Sequence, residues 1–399
     1  MSSQNRHRCF VALTVLALSL SLACVTSLAQ EVILTGPSQE LILTSPANQA
    51  RQQEVVSIPL RELRQRVPDF ETMQAEDMKT HQHLPTQIDL TGGLFLIAVE
   101  MPASGRLEVA FVPKSVQSPA PLVFGREATE RKDDFAWENQ YVTYRVYGPA
   151  LEATGEITSG IDVWSKRVPN FVIDRFYKRD AKGARTHNPA LSYHKDDGIG
   201  LDSYLVGPTR GCGGTGIFAD GKLWVSNNYT HLKQLSDGPV RFQFELSYAP
   251  WKAGSVIITE TKRITLDAGT HLNKIESTFT FSGPETISVA AGLPIRAGGE
   301  FTSVQDGQIL AVWDTPQDAT AGRIATGIVN IPGQKTSVVQ IDAAAKQALL
   351  VHTIRSGETF TYYAGSGWSK ADMPTPLAWQ QYLEQARYSL EHPIQYHWK

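Results

Sequence analysis

Cysteine is scarce in this chain: there are three in 399 residues, and Cys9 and Cys24 both lie in the first 25, which leaves Cys212 alone in the remainder. A lone thiol cannot close an intramolecular disulfide, so a disulfide-stapled scaffold is excluded. A charge excess of one sign is also lacking. Lys and Arg number 37 against 40 Asp and Glu, a net −3, which argues against a nucleic-acid or membrane-surface partner. Long apolar runs are missing except from Cys9 to Val25, which follows Arg6 and Arg8 and ends in Ser27-Leu28-Ala29 before polar sequence. That run is too short for a comfortable membrane span. It reads as a secretory signal peptide, residues 1–29, cut after Ala29. A lipid anchor on Cys24 is less well supported, because Ser21-Leu22-Ala23 lacks the large aliphatic residue wanted three positions before the cysteine. A periplasmic or secreted protein is therefore expected.

What is present is mostly strand pattern. A first β-rich segment, residues 30–120, contains a brief helical stretch at Arg61 to Arg66 that Pro68 ends, then Leu94 to Val99 and Leu107 to Val112 around a Pro-Ala-Ser-Gly turn. The segment Ser115 to Gly125, with Pro119 and Pro121, reads as a linker, and a second unit is expected over residues 121–399. There, Val240 to Tyr248 and Ile275 to Phe281 alternate apolar and polar residues, and Asp220-Gly221, Asp237-Gly238-Pro239, Ser282-Gly283-Pro284 and Asp306-Gly307 punctuate them. Period-two alternation between frequent turns predicts a large antiparallel all-β sandwich or barrel. One helix is expected near the end: Thr375 as N-cap, Pro376 at the first position, Leu377, Tyr382, Leu383, Ala386 and Leu390 at helical spacing, and Pro393 as the stop.

The densest chemistry lies between Ser192 and Phe218. Gly211-Cys212-Gly213-Gly214-Thr215-Gly216 matches a dinucleotide fingerprint in letters, but Ile217 to Val225 behind it reads as a hairpin rather than a helix, so the glycines serve backbone approach instead. Cys212 reads as a small buried filler rather than a nucleophile. His194, Asp196, Asp197 and Asp202 supply metal-ligand types within nine residues, although the calcium-loop and HExxH spacings are absent; no cofactor is expected, with a divalent metal as the open alternative. Three strands carry ionisable groups on otherwise apolar faces: Glu260 and Lys262 in Val256 to Leu266, Asp162, Trp164 and Lys166 in Ile161 to Val168, and Arg145 beside Tyr141, Thr143 and Tyr147. Buried charge is costly unless paired, so it marks either a site or a structural ion pair. Cations and carboxylates beside aromatic rings suit a sugar, whose apolar faces stack on rings and whose uronate carboxylate pairs with Arg or Lys.

Six blocks in order carry a family resemblance: Asp133-Asp134-x-Ala136-Trp137-Glu138-Asn139; Tyr144 to Pro149; Ser159 to Trp164 with Lys166; Tyr193-His194-x-Asp196 through Gly200-Leu201-Asp202-x-Tyr204; Gly211-Cys212-Gly213-Gly214; and Gly238-Pro239-Val240-Arg241. Over residues 85–390 the chain resembles the bacterial domain-of-unknown-function family 4861. Its members occur in polysaccharide-utilisation clusters, and one is an oligosaccharide dehydratase in the degradation of ulvan, an algal uronate polymer. The resemblance implies a mutarotase-like β-supersandwich and a lyase that removes water from a non-reducing-end uronic acid by β-elimination, leaving a 4,5-unsaturated uronyl group. Such a reaction needs a cation on the carboxylate to stabilise the enolate-like intermediate, for which Arg145 and Arg210 are candidates. It also needs a base and an acid: His194 with Tyr193 or Tyr204, or Lys166 in place of His194 as base. Trp137, Glu138, Tyr147, Asp162, Trp164 and Glu260 are expected to bind the substrate. A mutarotase-type epimerase and a non-catalytic glycan-binding protein are the alternatives.

Overall fold

The computed structural model describes residues 40–46, 50–114, 119–316, 318–342 and 346–399. The expected signal peptide and Cys24 lie outside the described residues.

Alternation along the N-terminal strands builds a small two-sheet sandwich. One sheet runs Gln395–Trp398, Glu40–Thr44, Arg106–Pro113, Met73–Asp77, and the other runs Arg51–Pro59, Leu94–Met101, Thr86–Asp89. Leu41, Leu43, Ile58, Phe95, Ile97, Val99 and Val109 fill the space between them, with Leu63 from the helix Leu60–Arg66. The short helix stands where the sequence places it. The last strand of the chain, Gln395–Trp398, returns to this N-terminal sheet, so the expected boundary near residue 120 is crossed by a long-range pairing.

The rest is a larger antiparallel stack, as the all-β reading predicts. A wide sheet includes Arg241–Ser247, Val256–Asp267, Leu272–Phe281, Thr359–Trp368, Ile324–Asn330 and Ile309–Asp314 side by side. Side chains on a strand alternate between faces, and Ile309–Asp314 shows the result. Leu310 and Val312 join the main core, whereas Ile309, Ala311 and Trp313 join a separate cluster with Trp379 and Leu383 of the C-terminal helix, Pro376–Glu391. Thr375 caps that helix as expected, its hydroxyl accepting from the Ala378 amide at 3.1 Å.

Two five-stranded sheets share the main core with the wide sheet. One of them, the site sheet, orders Gly200–Leu201, Asp162–Lys166, Val142–Val146, Asp134–Asn139 and Val123–Ala128. Its inner face buries Phe135, Trp137, Tyr144 and Val163 against Phe242, Phe244, Ile264 and Ile275. Its outer face is covered by a helix absent from the sequence reading, Ile173–Thr186, which buries Phe176 and Tyr177 against Trp164 and Tyr193. No residue of its own caps this helix. The cap comes from the sheet: the Glu138 carboxylate accepts from the amides of Val172 at 2.8 Å and Ile173 at 2.9 Å, satisfying donors that open every helix and adding negative charge where the helix dipole favours it.

The glycine cluster precedes the strand Thr215–Ala219, not a helix. Gly211 has φ +56° and lies against the Ile161 carbonyl, where any Cβ would collide.

Candidate active site

Successive outward-facing positions of the site sheet supply Asp134, Arg145 and Asp162, paired across neighbouring strands near the register Asp162 to Arg145. Arg145 is almost fully buried, its side chain 4% exposed, and every nitrogen is engaged. Nε donates to Asp162 Oδ2 at 2.9 Å, Nη2 to Asp202 Oδ2 at 2.9 Å and to the Tyr147 hydroxyl at 3.2 Å, and Nη1 to the Tyr193 hydroxyl at 3.4 Å. The rings of Tyr147, Trp164 and Tyr193 surround it at 5.1, 4.9 and 5.6 Å. Burial disfavours the charge, but Tyr147, Asp162 and Asp202 outweigh it and hold the guanidinium well above the ordinary arginine range.

The surrounding carboxylates outnumber the buried cation. Burial pushes Asp134 up to about 6 in spite of Arg145 and Arg131, and neither of its oxygens accepts a hydrogen bond. Asp202 is raised as well, by burial and by the nearby Asp162 charge. Packing several carboxylates around one guanidinium in a dry site favours holding a proton among them.

From this buried hub the cluster reaches the surface at His194, next to Tyr193. The loop carrying them is braced by Arg179, which donates to the carbonyls of Ser192 and Lys195 at 3.1 Å each and of Ala190 at 2.7 Å. Tyr193 is buried, its ring stacked on Trp164 at 5.3 Å. Its hydroxyl accepts from Arg145 and from Arg131. The His194 side chain is 56% exposed. Its Nδ1 lies 2.9 Å from the Asp202 carbonyl oxygen, which can only accept. Nδ1 therefore carries a proton, and in the neutral ring Nε2 keeps a free lone pair.

Of the residues singled out in the sequence, Arg145, Tyr147, Asp162, Trp164, Tyr193 and His194 lie together. Trp164 and Asp162 are fully buried, so they support Arg145 rather than face a ligand. Asp134, Arg131 and Asp202 complete this cluster although the sequence does not single them out for it; the paired aspartates of the Asp133-Asp134 block are the available signal.

The other candidates go elsewhere. Lys166 is buried, lowered by desolvation and held by Glu138 Oε2 at 2.8 Å and the Asn170 carbonyl at 3.0 Å, so this lysine and Glu138 form a helix-capping ion pair. Trp137 is a core residue whose Nε1 donates to Asn273 Oδ1 at 2.7 Å. Arg210 is buried between sheets, donating to Ser159 Oγ at 3.0 Å and the Thr215 carbonyl at 3.2 Å, and burial lowers it to about 10. Glu260 accepts from Thr215 Oγ1 at 2.6 Å and lies 3.4 Å from Lys262, inside the same core. Trp137, Glu138, Arg210 and Glu260 therefore present no surface to a substrate, because each is buried and bonded within the fold. The Tyr204 ring is buried beneath Arg296 at 4.4 Å. Burial pushes the Cys212 thiol up, in keeping with a filler.

Among the described residues no three His, Cys, Asp or Glu side chains are placed to hold a metal ion. The aspartates nominated for one are turned to cations instead, Asp196 to Arg167, Asp197 to Arg175 and Asp202 to Arg145. A groove of about 490 Å³ lies elsewhere, lined by residues including Phe70, Leu84, Gln87, Leu235 and Pro239. The Gln87 amide in it is fully bonded, to Ser236, Val240 and Arg241.

Residues 43–395 match the family described as Domain of unknown function (DUF4861). The chain belongs to this family. It is 30% identical over 345 residues to "Uncharacterized protein P7" of Formosa agariphila, covering 82% of this chain and 84% of that protein. Among solved structures it is similar to an alpha-mannosidase from Enterococcus faecalis V583, with 11% identity, a TM-score of 0.48 and coverage of 91% of this chain and 46% of that one. A protein in the Glycosyl Hydrolase Family 38 from Enterococcus faecalis matches with 10% identity, a TM-score of 0.46 and coverage of 91% and 47%. The DUF4861 chain spans about half the length of these two structures. No described helix is long and apolar enough to cross a membrane.

Proposed function

We propose that this DUF4861 protein is a secreted or periplasmic carbohydrate dehydratase or lyase that acts by β-elimination on the non-reducing-end uronate of an oligosaccharide of the ulvan type. The observation that supports it most is the exposed His194 imidazole, with Nδ1 held by the Asp202 carbonyl, beside a Tyr193 hydroxyl that accepts from two guanidiniums. His194 Nε2 takes the C5 proton. The electron pair left on C5 forms the C4–C5 double bond as the C4–O bond breaks, and the departing oxygen takes a proton from solvent and leaves as water, while the buried Tyr193 hydroxyl holds the two guanidiniums in place rather than acting as the acid. With the carboxylate neutralised by a guanidinium, charge developing on it costs far less than in water.

The test is incubation with saturated, uronate-terminated fragments of ulvan, alginate, pectin and glycosaminoglycans, following the ultraviolet absorbance of the unsaturated uronate and the mass of the product. A chromophore with loss of one water is expected. Binding without a chromophore would make the protein a glycan-binding module, and interconversion of sugar epimers without a chromophore would make it an epimerase; either result ends the elimination reading.

A further inference from the structure

We propose that Arg131 is the residue that receives the uronate carboxylate, while Arg145 organises the site without touching substrate; the proposal rests on the elimination reading above. The two guanidiniums flank the same Tyr193 hydroxyl but differ in what they can still bind. The Arg145 side chain is 4% exposed and its donors are consumed by Asp162, Asp202, Tyr147 and Tyr193. The Arg131 side chain is 32% exposed, and its one hydrogen bond among the described residues is from Nη1 to the Tyr193 hydroxyl. Its Nη2 lies 3.8 Å from Glu156, a carboxylate 61% exposed, and that contact is long and screened. A substrate carboxylate that replaces Glu156 gains a planar donor fork at little cost.

The backbone around Arg131 is built rather than loose. Arg131 ends the short helical turn Thr129–Arg131, and Lys132 after it adopts φ +62°, ψ −109°, a conformation that a non-glycine residue holds only when its surroundings require it. Asp133 supplies that requirement: its carboxylate accepts from the amides of Ala150 at 2.5 Å and Leu151 at 3.1 Å, and its carbonyl accepts from the Tyr229 hydroxyl at 2.7 Å. Asp134, buried and 3.5 Å from Arg131 Nε, holds the inner side of the guanidinium and leaves the outer side to solvent. The placement also suits the chemistry. The hydrogen removed in the reaction is on the carbon that bears the carboxylate, so the cation and the base must be neighbours. Arg131 meets the Tyr193 hydroxyl, and the His194 ring stands 4.6 Å from the Tyr193 ring.

Isothermal titration calorimetry of the full chain, with a uronate-terminated oligosaccharide and its carboxyl-reduced neutral counterpart, tests the assignment. The wild type should bind the acid about tenfold or more tightly than the neutral sugar, Arg131→Ala should bind both alike, and Arg131→Lys should keep part of the preference. Arg131→Gln, which keeps a donor for Tyr193, gives the same comparison if the alanine variant does not fold. A preference for the acid that survives in Arg131→Ala and Arg131→Gln overturns the Arg131 assignment and leaves the elimination reading standing. A wild type with no preference for the acid overturns both.

Discussion

The Nδ1 atom of His194 sits 2.9 Å from the backbone carbonyl of Asp202, and the Asp202 carboxylate lies 3.6 Å from the same nitrogen. One residue therefore fixes the tautomer of the proposed base through its main chain and holds Arg145 through its side chain. His194→Ala should lower turnover about a hundredfold or more. Because the ring is more than half exposed, the melting temperature should be nearly unchanged; wild-type rates in this variant would remove His194 from the mechanism.

Arg145→Met should act in the opposite way, on the fold first. It strands Asp162 and Asp202 in a buried site without their cation, a loss on the order of 3–5 kcal/mol. Chemical denaturation should show it, whereas Arg131→Ala should cost less, because the Arg131 side chain is one-third exposed and its buried neighbours Asp134 and Tyr193 keep Arg145 as a second cation. Equal losses in the two variants would contradict the division of roles.

Asp134 sets an expected pH dependence of stability. Its carboxyl is raised from the usual 3.8 to about 6 by burial, so between those values the folded chain holds a proton that the unfolded chain has released. Stability from this group is then fully present below 3.8 and falls as pH rises toward about 6. Asp134→Asn, which keeps the shape and removes the titration, should flatten that part of a melting-temperature profile; an unchanged profile would mean that the carboxyl is not raised in the folded state.

Lys166→Met separates a structural lysine from a catalytic one. The Lys166 ammonium neutralises the Glu138 carboxylate that caps Ile173–Thr186, so the variant should lose stability on the order of 3–5 kcal/mol. Turnover per folded molecule should stay within about threefold of wild type, whereas a general base of this kind is worth about a hundredfold or more. A loss of that size in the folded variant would restore Lys166 as the base.

The legible parts of the chain are those whose signals are local. Thr375-Pro376 announces the C-terminal helix because cap and first turn are adjacent in sequence. The helix Ile173–Thr186 could not be read in the same way, since its cap is Glu138, 34 positions upstream of Val172. The site shows the same contrast. Tyr193 and His194 stand out as chemistry-bearing neighbours, whereas Arg131 looks like one more surface charge until the Asp133 clamp and the Tyr193 hydroxyl give it a fixed position.

By itself the sequence determined the antiparallel all-β stack with its terminal helix, because alternation, turns and caps act over a few residues. It also determined that charged groups would sit on buried strand faces. Only the tertiary structure decided which of those groups are structural. Lys166, Glu260 and Arg145 all break an apolar strand pattern in the same way, but burial demands a partner for each, and the partners come from other elements of the fold. Once they are paired, the exposed chemistry left at the site is His194 and Arg131, on either side of Tyr193.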